Sequence, residues 1–404
     1  MTDATHTSPS RRRMLRLASG GAALALLGGG AAACEPKGAA QDDVKGGGDG
    51  PSSDTSGGKT KPGQPLWSKT VPVQKGVSTN ELVALNGTAI TIGDPPSAWD
   101  AKSGAKRWSM ATGPVPGAPL LLGNDTLYLA SNEYDGTVAG YDPATGKETW
   151  RSRLGKKFDD PRPIAVDDTQ LYVIAVILDG YERTGKNVVA ALDTASGRVV
   201  WQEQRDIGTE DNGLHAVVQG KHLIYTDFLK NLTVRDTATG QQVWTQKMNS
   251  INYDNFAVHE DLVIVAQRRE LKAFAVGDGS VKWTVKTTEF DSFQVPAVLD
   301  GVLYVADSAH VLWAVDPATG EKIWQSKDLV EPSRAVPTEF TRAGDTLYGG
   351  TDLDPEGGVH AFDAKTGKLL WTFNDKSGDT ASWRVAGDGT HVFALHADRL
   401  HALA

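Results

Sequence analysis

The sequence predicts an all-β fold, an eight-bladed β-propeller with four-stranded blades. Three observations carry that expectation. A phrase ending in Trp returns about every 43 residues, hairpin-forming segments fill the intervals, and each chain end holds only part of a blade. In a chain of 404 residues with 11 Trp and 44 Gly, this period falls in the propeller range of repeat architectures.

The recurring phrase is apolar-x-D-x-x-T/S-G-x-x-x-W. It stands as AWDAKSGAKRW ending at Trp108, GYDPATGKETW at Trp150, ALDTASGRVVW at Trp201 and VRDTATGQQVW at Trp244. AVDPATGEKIW ends at Trp324 and AFDAKTGKLLW at Trp371. AFAVGDGSVKW, ending at Trp283, is a degenerate copy with Ala275 in the Asp position, and PLWSKT supplies a bare Trp67. The chemistry is that of a hairpin: the carboxylate accepts from amides ahead of it and Gly provides a positive φ. The eight Trp read as wedges between blades, each with an N–H that needs an acceptor on the next blade.

The elements of each blade follow in order. A short strand A (RPIAVDDT, LHAVVQGK, VPAVLDG) turns into strand B, a longer connection leads to strand C, and the D-x-x-T-G turn leads to strand D with its Trp. Alternation of period two marks the strands, and no segment of helical period interrupts them. PLWSKT is a strand D with nothing before it, and HVFALHADRLHALA ends the chain without the turn or Trp. Together they predict a last blade closed by N-terminal strand D and C-terminal strands A–C, which removes the open edges of the sheet array. Trp99, Trp313 and Trp383 lie outside the beat and read as core or as stacking platforms for sugars, Trp383 within a strand A.

Residues 1–33 read as a signal peptide rather than as fold. Ser10-Arg11-Arg12-Arg13-Met14-Leu15-Arg16 resembles the twin-arginine export motif, with Arg11 and Arg12 as its pair. A weakly apolar stretch follows, too short for a transmembrane span of about 20 residues. It ends in Ala31-Ala32-Ala33-Cys34, which resembles a lipobox. Cys34, the sole cysteine, is the expected lipidation site; the plainer alternative is a secretory signal with an incidental Cys. Residues 34–64 are polar and Gly/Ser-rich and read as a disordered tether, leaving 65–404 for the propeller.

Composition excludes several functions. One Cys permits neither an internal disulfide nor a cysteine-based metal site. The net charge of −9 argues against nucleic acid as a partner. No G-x-S-x-G elbow supports a serine hydrolase. Asp352, Asp354, Glu356 and Asp363 have a calcium-loop-like spacing but lie in a strand connection without flanking helices, so they read as a solvated hairpin loop. His391, His396 and His401 on the terminal hairpin read as surface or strand packing, with no metal site assigned.

The A-x-D-x-x-T-G-x-x-x-W phrase resembles the tryptophan-docking repeat of PQQ-type, quinoprotein-like propellers, over about residues 65–404. The resemblance implies an eight-bladed propeller and, in its non-catalytic members, a lipoprotein such as that of the outer-membrane β-barrel assembly machinery or the propeller lipoproteins of actinobacteria. In its dehydrogenases it implies pyrroloquinoline quinone and calcium in the central funnel. This chain departs from those enzymes: it lacks their vicinal Cys pair, and its connections of about 10 to 13 residues leave no room for their catalytic insertions. The expectation is therefore no catalytic residue, cofactor or metal, with PQQ suggested by the family name alone.

What remains is one rim. The B–C and D–A connections of a propeller share a face, here residues 151–161, 177–187, 202–213, 325–337 and 352–358. Tyr181, Glu182, Arg183, Asp352, Asp354 and Glu356 are the candidate partner residues, against the alternative that these are merely solvated connections. The expected protein is an exported monomer, lipid-anchored to the extracytoplasmic face of a bacterial cell membrane, that binds or scaffolds a protein partner. The alternatives are a PQQ- or small-molecule-dependent enzyme using the central channel and an outer-membrane protein assembly component.

Overall fold

The computed structural model describes residues 62–403, apart from 75–80, 112–119, 131–136, 156, 206–214, 228, 250–255 and 332–333. Arg11, Arg12 and Cys34 lie outside the described residues. The described part falls in one compact unit, Gly58–Ala404, and contains eight antiparallel four-stranded sheets and no helix.

Seven blades are continuous in sequence, spanning 82–109, 121–153, 158–205, 215–247, 256–286, 297–326 and 337–373. In the eighth, Arg384–Gly387, Val392–His396 and Arg399–Leu403 are followed in the sheet by Pro65–Thr70 from the other end of the chain. Trp67 stands opposite Ala402 and Ser68 opposite His401. The ring is thus closed as the two incomplete ends predict.

Burial follows position in the blade. In the fifth blade strand B, Leu262–Gln267, is buried along its whole length, whereas strand D, Val281–Lys286, alternates exposed and half-buried. Inner strands are covered by neighbouring blades on both faces, so they read as continuous apolar runs; only the outermost strand keeps one side in water. One apolar cluster fills each of the eight interfaces. Tyr128 and Val138 of the second blade, for example, pack on Leu171, Val173 and Ala190 of the third, and Phe393 and Leu400 of the closing blade pack on Leu82 and Ala89 of the first.

Six of the eight repeat tryptophans donate to a backbone carbonyl of the next blade, as the repeat predicts. Trp67 Nε1 donates to Ala101 O (2.8 Å), Trp108 to Pro143 O (2.9 Å), Trp201 to Thr237 O (2.6 Å) and Trp244 to Val276 O (2.7 Å). Trp283 and Trp324 reach Pro317 O and Ala364 O, both at 3.1 Å. Each acceptor follows the turn Asp position of the next blade, so the same turn that closes a hairpin also receives its neighbour. The turn is preset: Asp236 Oδ1 accepts from the Ala238 and Thr239 amides and from Thr239 Oγ1. Trp150 departs from this: its Nε1 is buried without a partner, and Ser152 Oγ donates instead to Gly197 O of the third blade.

The turn glycine has a second reason beyond its positive φ. A β-carbon on Gly240 (φ +74°) would stand 2.5 Å from the Trp201 ring, closer than real contacts allow. The strand pairing adds a feature not anticipated from sequence. In all seven continuous C–D hairpins the register slips beside the turn, as where Ala191 faces Trp201 but Leu192 faces Val199. The residue before the Trp is bulged out, which swings the indole toward the next blade. The closing blade repeats the slip at Leu66, although no peptide bond joins its strands.

Of the three Trp outside the beat, Trp99 and Trp313 lie in strands C and are buried, donating to Thr91 Oγ1 and Asp307 Oδ2. They are core rather than platforms. Trp383 is also core, 1% exposed, but it precedes strand Arg384–Gly387 instead of belonging to it. Its ring stacks flat on His396, and its backbone amide donates to Thr351 O of the seventh blade at 2.9 Å.

Candidate partner-binding face

The antiparallel order A-B-C-D places every A–B and C–D turn on one face of the ring and every B–C and D–A connection on the other. Pro65–Thr70 is a strand D, so the chain enters the ring on the turn face, opposite the longer connections.

The third blade has the longest strands among the described residues. Residues 177–187, read from sequence as a loop, are instead the continuation of strands Gln170–Asp179 and Glu182–Asp193, closed by the two-residue turn Gly180-Tyr181. Charged residues and Gly180 and Gly185 mimic a loop, but cross-strand pairing keeps the segment extended. Tyr181 stands fully exposed at the tip. Glu182 and Arg183 lie in the strand, and Arg183 is braced by Asp159, Nη2 to Oδ2 at 2.9 Å and Nε at 3.2 Å. Beneath it the buried Arg162 pairs with Asp160 at 2.9 Å. The 151–161 connection likewise shrinks, since Glu148–Arg153 and Phe158–Val166 take up most of it. Much of 202–213 lies outside the described residues.

The 352–358 connection of the seventh blade remains a loop. Asp352 accepts from Ser382 Oγ, Asp354 Oδ1 accepts from the Glu356 amide at 2.9 Å, and Asn374 Nδ2 reaches Pro355 O at 3.1 Å. Leu353, between the two aspartates, is 64% exposed. Asp363 is engaged in its own turn, accepting from the Lys365 and Thr366 amides. Among the described residues, no group of three or more His, Cys, Asp or Glu is arranged to hold a metal ion.

Sequence reasoning missed two features. The first is how exposed apolar side chains divide. Among the described residues, those outside strands D are Tyr181, Leu229, Phe290 and Leu353, and all four lie on B–C or D–A connections of the third to seventh blades. Phe290, 94% exposed in the connection after Val281–Lys286, belongs to a segment that no motif singles out. The second is at the inner edge of the ring. Arg384 of the closing blade meets Glu339 of the seventh across the interface, Nη1 to Oε2 at 3.3 Å, with both side chains about a third exposed. Crowding by protein pushes the Glu339 carboxyl up to about 7, against the pull of Arg384 and with the push of Glu81.

The candidate face thus has ion-paired supports and apolar tips. A family model described as outer membrane protein assembly factor BamB matches residues 96–250 and 230–373. Among curated proteins, outer membrane protein assembly factor BamB of Francisella salina is 27% identical over 195 residues, 45% of this chain and 36% of that protein. The namesake from Shewanella oneidensis is 22% identical over 62% of this chain and 76% of that protein. Quinohemoprotein alcohol dehydrogenase of Comamonas testosteroni is 28% identical over 29% of this chain and 17% of that protein. This chain therefore spans about a third of the Francisella protein and less of the dehydrogenase. Among solved structures, BamB of Moraxella catarrhalis superimposes with a TM-score of 0.52 at 20% identity, covering 72% of this chain and 85% of that one. A computationally designed protein, Ika8, gives 0.59 at 12% identity, covering 83% and 99%.

Proposed function

The chain belongs to the propeller family described as outer membrane protein assembly factor BamB, and on that premise we propose that it is an exported, lipid-anchored binding protein without catalytic activity. Cys34 is its anchor, the residues up to 64 its tether, and the B–C/D–A face its partner site. The membrane is that of a bacterial envelope, on its extracytoplasmic side.

The observation that carries this reading is the opposition of the two faces. The chain enters on the turn face, while Tyr181, Leu229, Phe290 and Leu353 project from the other. A ring tethered from the turn face can present these tips to a second protein. Exposed aromatic and aliphatic anchors on rigid supports are the side chains that bind partners at low entropic cost.

Site-specific photocrosslinking in the native host tests it. A crosslinker at Tyr181, Phe290 or Leu353 should capture a discrete protein, and one at Lys147 or Lys365 on the turn face should not. Equal capture from both faces overturns the assignment of the face. Labelling with a palmitate analogue, abolished by Cys34→Ser, tests the anchor. The dehydrogenase relatives support a second reading, which titration of the purified protein with PQQ and calcium decides. Tight binding with alcohol oxidation would establish an enzyme.

A further inference from the structure

The interface between the seventh and closing blades holds buried titratable groups apart from the partner face's exposed tips. His396 and His401 are each 2% exposed. His396 Nδ1 lies 3.1 Å from Asp375 Oδ2, and His401 Nε2 lies 3.6 Å from the same oxygen. Trp383 stacks on His396 with ring centroids 4.1 Å apart, and Phe373 meets His401 edge-on at 5.0 Å. His401 Nδ1 pairs with Ser68 Oγ at 2.8 Å. Trp383 Nε1, His396 Nε2 and His401 Nε2 are all buried without a hydrogen-bond partner.

Three parts of the chain meet here. Asp375 comes from the connection into the closing blade, the histidines from its B and C strands, and Ser68 from the N-terminal strand. The last of these is held to the blade by no covalent link. One carboxylate can balance one imidazolium. A second proton leaves an uncompensated charge against Trp383 and Phe373, where burial is costly. Arg399, on the same hairpin as the histidines, adds positive charge to their surroundings.

We infer that this cluster is an acid-sensitive latch: protonation of His401 opens the seam at the closing blade while the other blades stay folded. The electrostatics agree with the geometry. Burial, followed by Asp375 acting in the opposite sense, leaves His401 at about 4, below its ordinary 6.5. Burial pushes Asp375 up, but its hydrogen bonds to His396 and Ser377 hold it below its ordinary value. A histidine depressed in the closed ring binds its proton more readily once released. Closure therefore weakens as pH falls from about 6.5 toward about 4.

Hydrogen–deuterium exchange on the whole protein, corrected for intrinsic rates, tests the latch. Between pH 7 and pH 5, amides of Pro65–Thr70, Val392–His396 and Arg399–Leu403 should lose protection by about tenfold or more. Those of Leu262–Gln267 should keep theirs. His396→Gln with His401→Gln should abolish the selective loss; if that pair does not fold, His401→Gln alone should abolish it. A uniform loss in all blades, or a selective loss unchanged in these variants, overturns the inference.

Discussion

Gly63 lies over the ring of Trp371, where a β-carbon would stand 3.3 Å from that of the tryptophan. Its φ of +79° and its spacing of four residues to Trp67 match those of the turn glycines in the continuous blades. A residue assigned from sequence to the tether thus does the work of a turn glycine at a blade with no turn. Gly63→Ala should cost about 1–2 kcal/mol through its left-handed backbone. Gly87→Ala, at φ +71° with open space around it, should cost a similar amount. Gly240→Ala should cost more, about 3 kcal/mol, because the Trp201 ring is in the way. Urea unfolding midpoints of the three variants check the order.

Trp201 and Trp150 occupy the same repeat position with different bonding. Trp201→Phe loses the 2.6 Å bond to Thr237 O and leaves a carbonyl unpaired, whereas Trp150→Phe removes an N–H that has no partner. The first should destabilise by about 1–2 kcal/mol more than the second. Equal effects in thermal melts would mean that indole size alone matters.

Deleting residues 399–404 strips the closing blade of the strand that pairs with Pro65–Thr70. It also unpairs Val392–His396 and opens the apolar cluster around Phe393 and Leu400. The melting temperature should collapse and the transition broaden in calorimetry. An unchanged melt would refute closure through both chain ends.

His360 and Glu339 predict opposite pH responses. Burial holds His360 at about 4, its Nε2 bonded to Ala335 O and its Nδ1 to Thr372 Oγ1. The unfolded chain takes up this proton first, so stability should fall by up to about 3 kcal/mol as pH drops from 6.5 to 4. Glu339, raised to about 7, keeps its proton longer in the folded ring. Its contribution is present below about 4.5 and fades as pH rises through 7. Denaturation series from pH 4 to 9 should show His360→Gln removing the loss of stability as pH falls from 6.5 to 4, and Glu339→Gln removing the loss as pH rises from about 4.5 to 7.

The blades were legible because each C–D hairpin writes its requirements locally: Asp to hold the turn, Gly to close it and Trp four residues later. The bulge at Leu66 and its counterparts was not, since register belongs to two strands at once. The 177–187 hairpin was misread because Arg183 depends on Asp159, 24 residues away, for its support. The rim residues were found, but Phe290 was missed, as nothing local distinguishes an exposed Phe from a buried one. The burial of His396 and His401 likewise depends on Asp375 and Trp383, which come from another segment.

The pairing of Ser68 with His401 spans 333 residues of sequence. The first strand of the ring must therefore wait for the last to be synthesised, with its edge open throughout. Closing so long a loop pays its entropy before any contact repays it, which makes ring closure the late, slow event of folding. A cell that makes this protein has to keep that strand from pairing elsewhere until Arg399–Leu403 has been made.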